Sequence, residues 1–99
     1  MITHIVFFKM KPTAGGTTSR ENLHELVAKL RGLKVAIPEI LELEAGEDVS
    51  RSNASFDVAL ITRFASLEAL ETYRVHPAHV KVVEFIQSVC SERAVVDFH

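Results

Sequence analysis

Thr3-His4-Ile5-Val6-Phe7-Phe8-Lys9-Met10-Lys11 is dense in β-branched and aromatic side chains and is closed by Pro12, so it predicts a β-strand. Its two faces decide the fold. The even positions His4, Val6, Phe8 and Met10 suit the side packed on helices, yet the odd positions add Ile5 and Phe7. The third predicted strand repeats this, with Val58 and Leu60 on one face and Ala59 and Ile61 on the other. Helices cover only one face, and leaving Ile5, Phe7 and Ile61 in water forfeits about 1.5–3 kcal/mol for each large side chain. For a chain of 99 residues, small enough to be marginal, the remedy is a second copy packed sheet to sheet as an isologous homodimer.

Outward from that strand, Thr13-Ala14-Gly15-Gly16-Thr17 reads as a mobile loop. Thr18 and Glu21 make a capping-box signature, and Leu23, Leu26, Val27, Leu30 and Leu33 recur at helical spacing, predicting a helix over about 19–35. Pro38 forces extended backbone before it, and residues 40–49 alternate Leu41 and Leu43 with Glu42 and Glu44, as in a half-exposed edge strand. Ser50 to Ser55 turns the chain into a strand over 56–64. Ser66 caps a short helix through Tyr73, Pro77 opens a third helix reaching about Ser91, and Ala94 to Phe98 is the last strand. This βαββαβ order predicts one α+β, ferredoxin-like domain over 1–99, with a four-stranded antiparallel sheet that pairs into a dimeric α/β barrel.

Composition narrows function. Apolar residues are 47% and charged residues 24%, and a formal charge of -2 supplies no basic stripe for nucleic acid. Cys90 is the single cysteine, which excludes an intramolecular disulfide and a Cys-rich metal site. No apolar run approaches the roughly 20 residues of a membrane span, and the opening residues carry no basic leader, so a cytoplasmic location is expected.

The chemistry converges on Tyr73-Arg74-Val75-His76-Pro77-Ala78-His79-Val80, a helix end, a proline break and a helix start bearing two histidines. Asp97 lies in an apolar strand, where a carboxylate stays charged only if paired, and the histidines beside Pro77 are the obvious partners. If His79 takes that bond on one ring nitrogen, the other becomes an acceptor, the geometry of a general base. The same pair equally suits a structural tie between the third helix and the last strand. His76 precedes Pro77 and so falls at an N-cap. His76 and His79 make an HxxH spacing, but a metal needs a further ligand from His4 or Asp97, and no metal is expected. Tyr73 either bonds a ligand carbonyl or packs at a helix end, and His4 is either a satisfied core residue or a cavity group. Cys90 falls in phase with Val83 and Ile86 on the buried side of the third helix, as core.

The runs His4 to Lys11, Phe64 to Tyr73, His76-Pro77-Ala78-His79-Val80 and Val95-Val96-Asp97-Phe98 resemble, in order and spacing, the stress-responsive dimeric α/β barrel (Dabb) family. That resemblance implies small, cofactor-free homodimers in which two ferredoxin-like sheets form a barrel. The family includes plant olivetolic acid cyclase, whose base, orienting aspartate and cavity tyrosine match His79, Asp97 and Tyr73, with His4 matching a first-strand histidine. Leu30 and Val58 stand where the cyclase has a tyrosine and a histidine, so its substrate recognition does not carry over.

The function expected is a homodimer binding a small apolar or carbonyl-containing ligand between sheet and helices. The cavity would be lined by His4, Val6, Phe8, Leu30, Val58, Leu60, Tyr73, His76 and His79, with His79 and Asp97 as base pair and no cofactor. A cavity of about 300–1,000 Å³ is the mark of such a site. The alternatives are a non-catalytic stress or structural dimer and, third, a cofactor-free monooxygenase-like barrel.

Overall fold

The computed structural model describes residues 1–99. Strand β1 (Ile2–Met10) is followed by two short strands, β2 (Thr13–Ala14) and β3 (Thr17–Thr18), and by helix α1 (Ser19–Ala36). Strands β4 (Glu42–Glu47) and β5 (Val58–Phe64), helices α2 (Leu67–Val75) and α3 (Pro77–Val89), and strand β6 (Cys90–Phe98) complete the chain. The main sheet is antiparallel in the order β4-β5-β1-β6, the ferredoxin-like arrangement. The edge position read for residues 40–49 holds, since β4 pairs only with β5.

Caps set the helix starts. Thr18 accepts from Glu21 N at 3.3 Å, Ser66 from Ala69 N at 3.1 Å and His76 Nδ1 from Ala78 N at 3.1 Å. Several limits differ from the sequence reading: the strands read over 40–49 and 56–64 run Glu42–Glu47 and Val58–Phe64, and the last strand begins at Cys90 rather than Ala94. Residues 13–18 form a two-residue hairpin, because Gly15 and Gly16 both adopt positive φ (61° and 77°), as a type I′ turn requires. Helix α3 stops at Val89, so Cys90 begins β6 and rests with Sγ 3.9 Å from Met10 Sδ, half-buried outside the helix.

Register sorts the side chains. On the helix-covered face, Leu43, Thr62, His4 and Asp97 form one row across the sheet, and Ala45, Leu60, Val6 and Val95 the next. The core joins the inward residues of β1 and β5 to Leu26, Leu30 and Leu33 of α1 and Val82 and Ile86 of α3. The opposite face carries Ile5, Ile61 and Val96 in one row and Phe7, Ala59 and Ala94 in the next. No helix covers it: Phe7 is 41% exposed, Val96 56% and Phe98 48%. No helix of the chain is long and apolar enough to cross a membrane.

Candidate functional site

Between the covered face of β1 and β6 and helices α1, α2 and α3 lies a cavity of about 200 Å³. Its walls are Val6, Phe8, Leu30, Leu60, Val82 and Ile86; its polar groups are His4, Tyr73, His79, Arg74, Arg93 and Asp97. The volume falls below the range expected of a drug-sized site, because Leu30 and Tyr73, each 1% exposed, fill the space behind the sheet. A larger cleft of about 520 Å³, next to the 48–57 loop, is lined mostly by polar and charged groups, several of them paired with one another. Arg20 pairs with Glu47, Asp57 accepts from Met10 N, and Asp48 accepts from Arg51 N, which holds the Asp48 carboxyl below its usual range. That cleft is built as a surface network and lacks a base facing apolar walls.

The pairing expected between His79 and Asp97 is not formed. Asp97 lies directly across from His4 in the β1–β6 ladder, and its Oδ1 accepts from His4 Nδ1. Directly opposed cross-strand positions put the two side chains side by side. His79 instead directs Nδ1 to the carbonyl oxygen of Arg74, at 3.0 Å. A carbonyl can only accept, so the hydrogen sits on Nδ1 and Nε2 keeps its lone pair. The carbonyl of Arg74, in the last turn of α2, takes the place that Asp97 was expected to fill. Burial, foremost, holds the His79 pKa below its ordinary 6.5; the Arg74 carbonyl opposes this, while His4, Arg93 and Arg74 reinforce it.

Tyr73 packs its ring against His79 at 4.2 Å and against His4 at 5.9 Å between centroids. Burial pushes its phenol well above the ordinary value of 10, so it is a hydrogen-bond donor at neutral pH. Next to His4 in the same row, Thr62 is fully buried and its Oγ1 has no hydrogen-bond partner. Burial also raises the Cys90 thiol, to about 11, in keeping with a packing role.

Of the residues singled out from sequence, His4, Val6, Phe8, Leu30, Leu60, Tyr73, His79 and Asp97 converge on this cavity. Val58 and His76 do not. Val58 is core, separated from β6 by Phe8, and the His76 ring is occupied capping α3. Sequence reasoning missed Arg74 and Arg93. Arg93 alternates with Val95 and Asp97, so the period of two was the available signal, hidden by starting the last strand at Ala94.

A ferredoxin-like subunit with one apolar sheet face open and a small, part-polar cavity behind the other defines a class of small α/β proteins. The chain belongs to the stress responsive A/B barrel domain (Dabb) family, whose profile matches residues 2–99. It is 31% identical, over 99% of its length, to a stress-response A/B barrel domain-containing protein of Arabidopsis thaliana, and spans only 36% of that protein. In fold it is similar to a dimeric ferredoxin-like protein of unknown function from Bacteroides fragilis (TM-score 0.86, 23% identity, 99% of this chain and 94% of that one). A second such dimeric protein, from Thermobifida fusca, gives a TM-score of 0.84 at 24% identity, covering 98% and 88%. The hydroxynitrile lyase of Passiflora edulis gives 0.83 at 20% identity, covering 98% and 90%.

Proposed function

We propose that this domain is a homodimer whose cavity binds a small carbonyl compound and removes a proton from the carbon beside the carbonyl, with His79 as general base. The observation that carries this reading is the His79 Nδ1 contact to the Arg74 carbonyl, which leaves Nε2 an acceptor on a ring lining a part-polar cavity. In the step, the C–H bond breaks, the proton passes to Nε2 and the electron pair moves to the carbonyl oxygen, where the Tyr73 hydroxyl donates. Asp97 acts at one remove, orienting His4 against the Tyr73 ring. A hydroxynitrile lyase with the same subunit fold is consistent with lyase-type chemistry in this frame. The dimer is supported by the open face of Ile5, Phe7, Ile61 and Val96 and by the dimeric state of the fold's neighbours.

A second reading, a non-catalytic dimer, draws on the 200 Å³ volume and on the mutual satisfaction of His4 and Asp97. A screen of small carbonyl compounds separates the two. Base chemistry requires a compound that raises the melting temperature of the wild type but not of His79→Ala, and whose α-deuterium uptake the wild type accelerates. No such compound among short ketones, oxo acids and esters leaves the structural dimer.

A further inference from the structure

The cavity holds more positive charge than proton transfer to His79 uses. Its charged groups are Arg74, Arg93 and Asp97, and Asp97 is already taken by His4. Arg74 has only an exposed contact to Glu71 at 3.9 Å, one turn away on its own helix. Arg93 forms no salt bridge and donates no side-chain hydrogen bond. An unpaired guanidinium beside apolar walls is the usual means of holding a carboxylate, by a planar fork of donors.

A second observation points to the other end of the ligand. Tyr73 is 1% exposed, lines the cavity and has no hydrogen-bond partner for its hydroxyl within the chain. Thr62 Oγ1 is the one fully buried side-chain oxygen or nitrogen without a partner, so the Tyr73 hydroxyl reaches open space, free to donate to an oxygen placed in the cavity. Spacing sets the two ends apart. Arg93 and Asp97 lie on one face of β6 with Val95 between them, four residues and so about 13 Å along the strand. The His4, Tyr73 and His79 rings cluster at the Asp97 end, while Arg93 sits opposite Phe8. The volume limits what fits between, since 200 Å³ is the share of about seven waters.

We propose that the ligand is a short oxo acid, its carboxylate bound by Arg93 and its carbonyl oxygen by the Tyr73 hydroxyl, with Val6, Leu30 and Val82 against its carbon chain. This rests on the reading of His79 as base, and it adds the substrate class and a specificity-determining residue.

The test titrates pyruvate, acetoacetate and levulinate, in which the carboxylate stands progressively farther from the ketone, each against its methyl ester. The targets are the wild type, Arg93→Gln, Arg74→Gln and His79→Ala. At least one acid binds the wild type about tenfold or more tighter than its ester, as a charged hydrogen bond in a partly dry site provides, and Arg93→Gln brings that acid to the level of the ester. Arg93 is exposed and unpaired, so the variant melts with the wild type and the loss reads as recognition. The proposal is overturned if no acid exceeds its ester, if the preference survives Arg93→Gln, or if only Arg74→Gln removes it. Equal binding of acid and ester, abolished in His79→Ala, overturns the oxo-acid assignment and leaves the base reading standing. No binding of any compound overturns both.

Discussion

The two faces of the sheet are made by the same four strands, from alternate residues, and they solve different problems. Behind the sheet, helices α1 and α3 bury Val6, Phe8 and Leu60, and every group of the candidate site lies on that side. In front, Ile5, Phe7, Ile61 and Val96 stand in register without a covering helix, with charged residues toward the β4 edge, where Glu44 lies opposite Ile61 and Glu42 pairs with Arg63. Had the front been built for water, the strands would alternate apolar with polar, as β4 does in Glu42, Leu43 and Glu44. The contrast teaches that period-two patterning reports how many faces of a sheet are apolar, and on the proposed function one face of this small domain serves the cavity and the other a second copy.

The sharpest way to break the contrast is to truncate neighbours that point in opposite directions. Leu60→Ala removes side-chain bulk from the closed core and is expected to cost about 2–5 kcal/mol in urea unfolding. Ile61→Ala, one residue on, should cost that much only where subunits are associated, and well under it in dilute protein; equal losses at all concentrations would show that the front is covered from within the chain.

Next in size, Phe7→Lys places a charge at the centre of the front face and should weaken association by about 2 kcal/mol or more, some thirtyfold in dissociation constant. The melting temperature extrapolated to low concentration should change little.

On the other face, Asp97→Ala leaves His4, mostly buried, without its acceptor, and a loss of about 1–3 kcal/mol is expected. His79→Ala should cost less, since its Arg74 partner is a backbone carbonyl at an exposed helix end. If the two losses were reversed, His79 rather than His4 would be Asp97's partner in solution. Thr62→Val removes the orphan hydroxyl from the same row and should stabilise the chain by about 1 kcal/mol, read as a higher urea midpoint at unchanged slope.

The smallest effect is one of pH. With its folded pKa depressed mainly by burial, His79 stays neutral in the fold below the 6.5 at which the unfolded ring titrates. Between those values the unfolded state binds more protons, so the contribution of His79 to stability is complete above about pH 6.5 and is lost as pH falls through the folded pKa. Titrating the His79 ring by NMR should place its midpoint below 6.5, and Arg93→Gln, by removing a cation, should raise it; a midpoint at or above 6.5 would contradict the assigned surroundings.

Much of this was legible in the chain because it rests on local rules. Thr18, Ser66 and His76 announced their caps, Pro77 announced α3, and the doubled apolar pattern of β1 and β5 announced an open face. The partner of Asp97 was not legible, because it depends on register: a shift of β6 against β1 would exchange His4 for another neighbour, and no turn joins those strands to fix it. The Gly15-Gly16 hairpin was readable from the demand of a two-residue turn for two positive φ values, and a polar stretch after Pro12 disguised it.

The division of labour between the faces is tested most directly by sedimentation equilibrium of the domain at micromolar concentration. A single species at twice the 11.0 kDa chain mass, shifted toward the chain mass by Phe7→Lys, is the predicted result. A wild-type species at 11.0 kDa, with Phe7, Val96 and Phe98 in water, would contradict it.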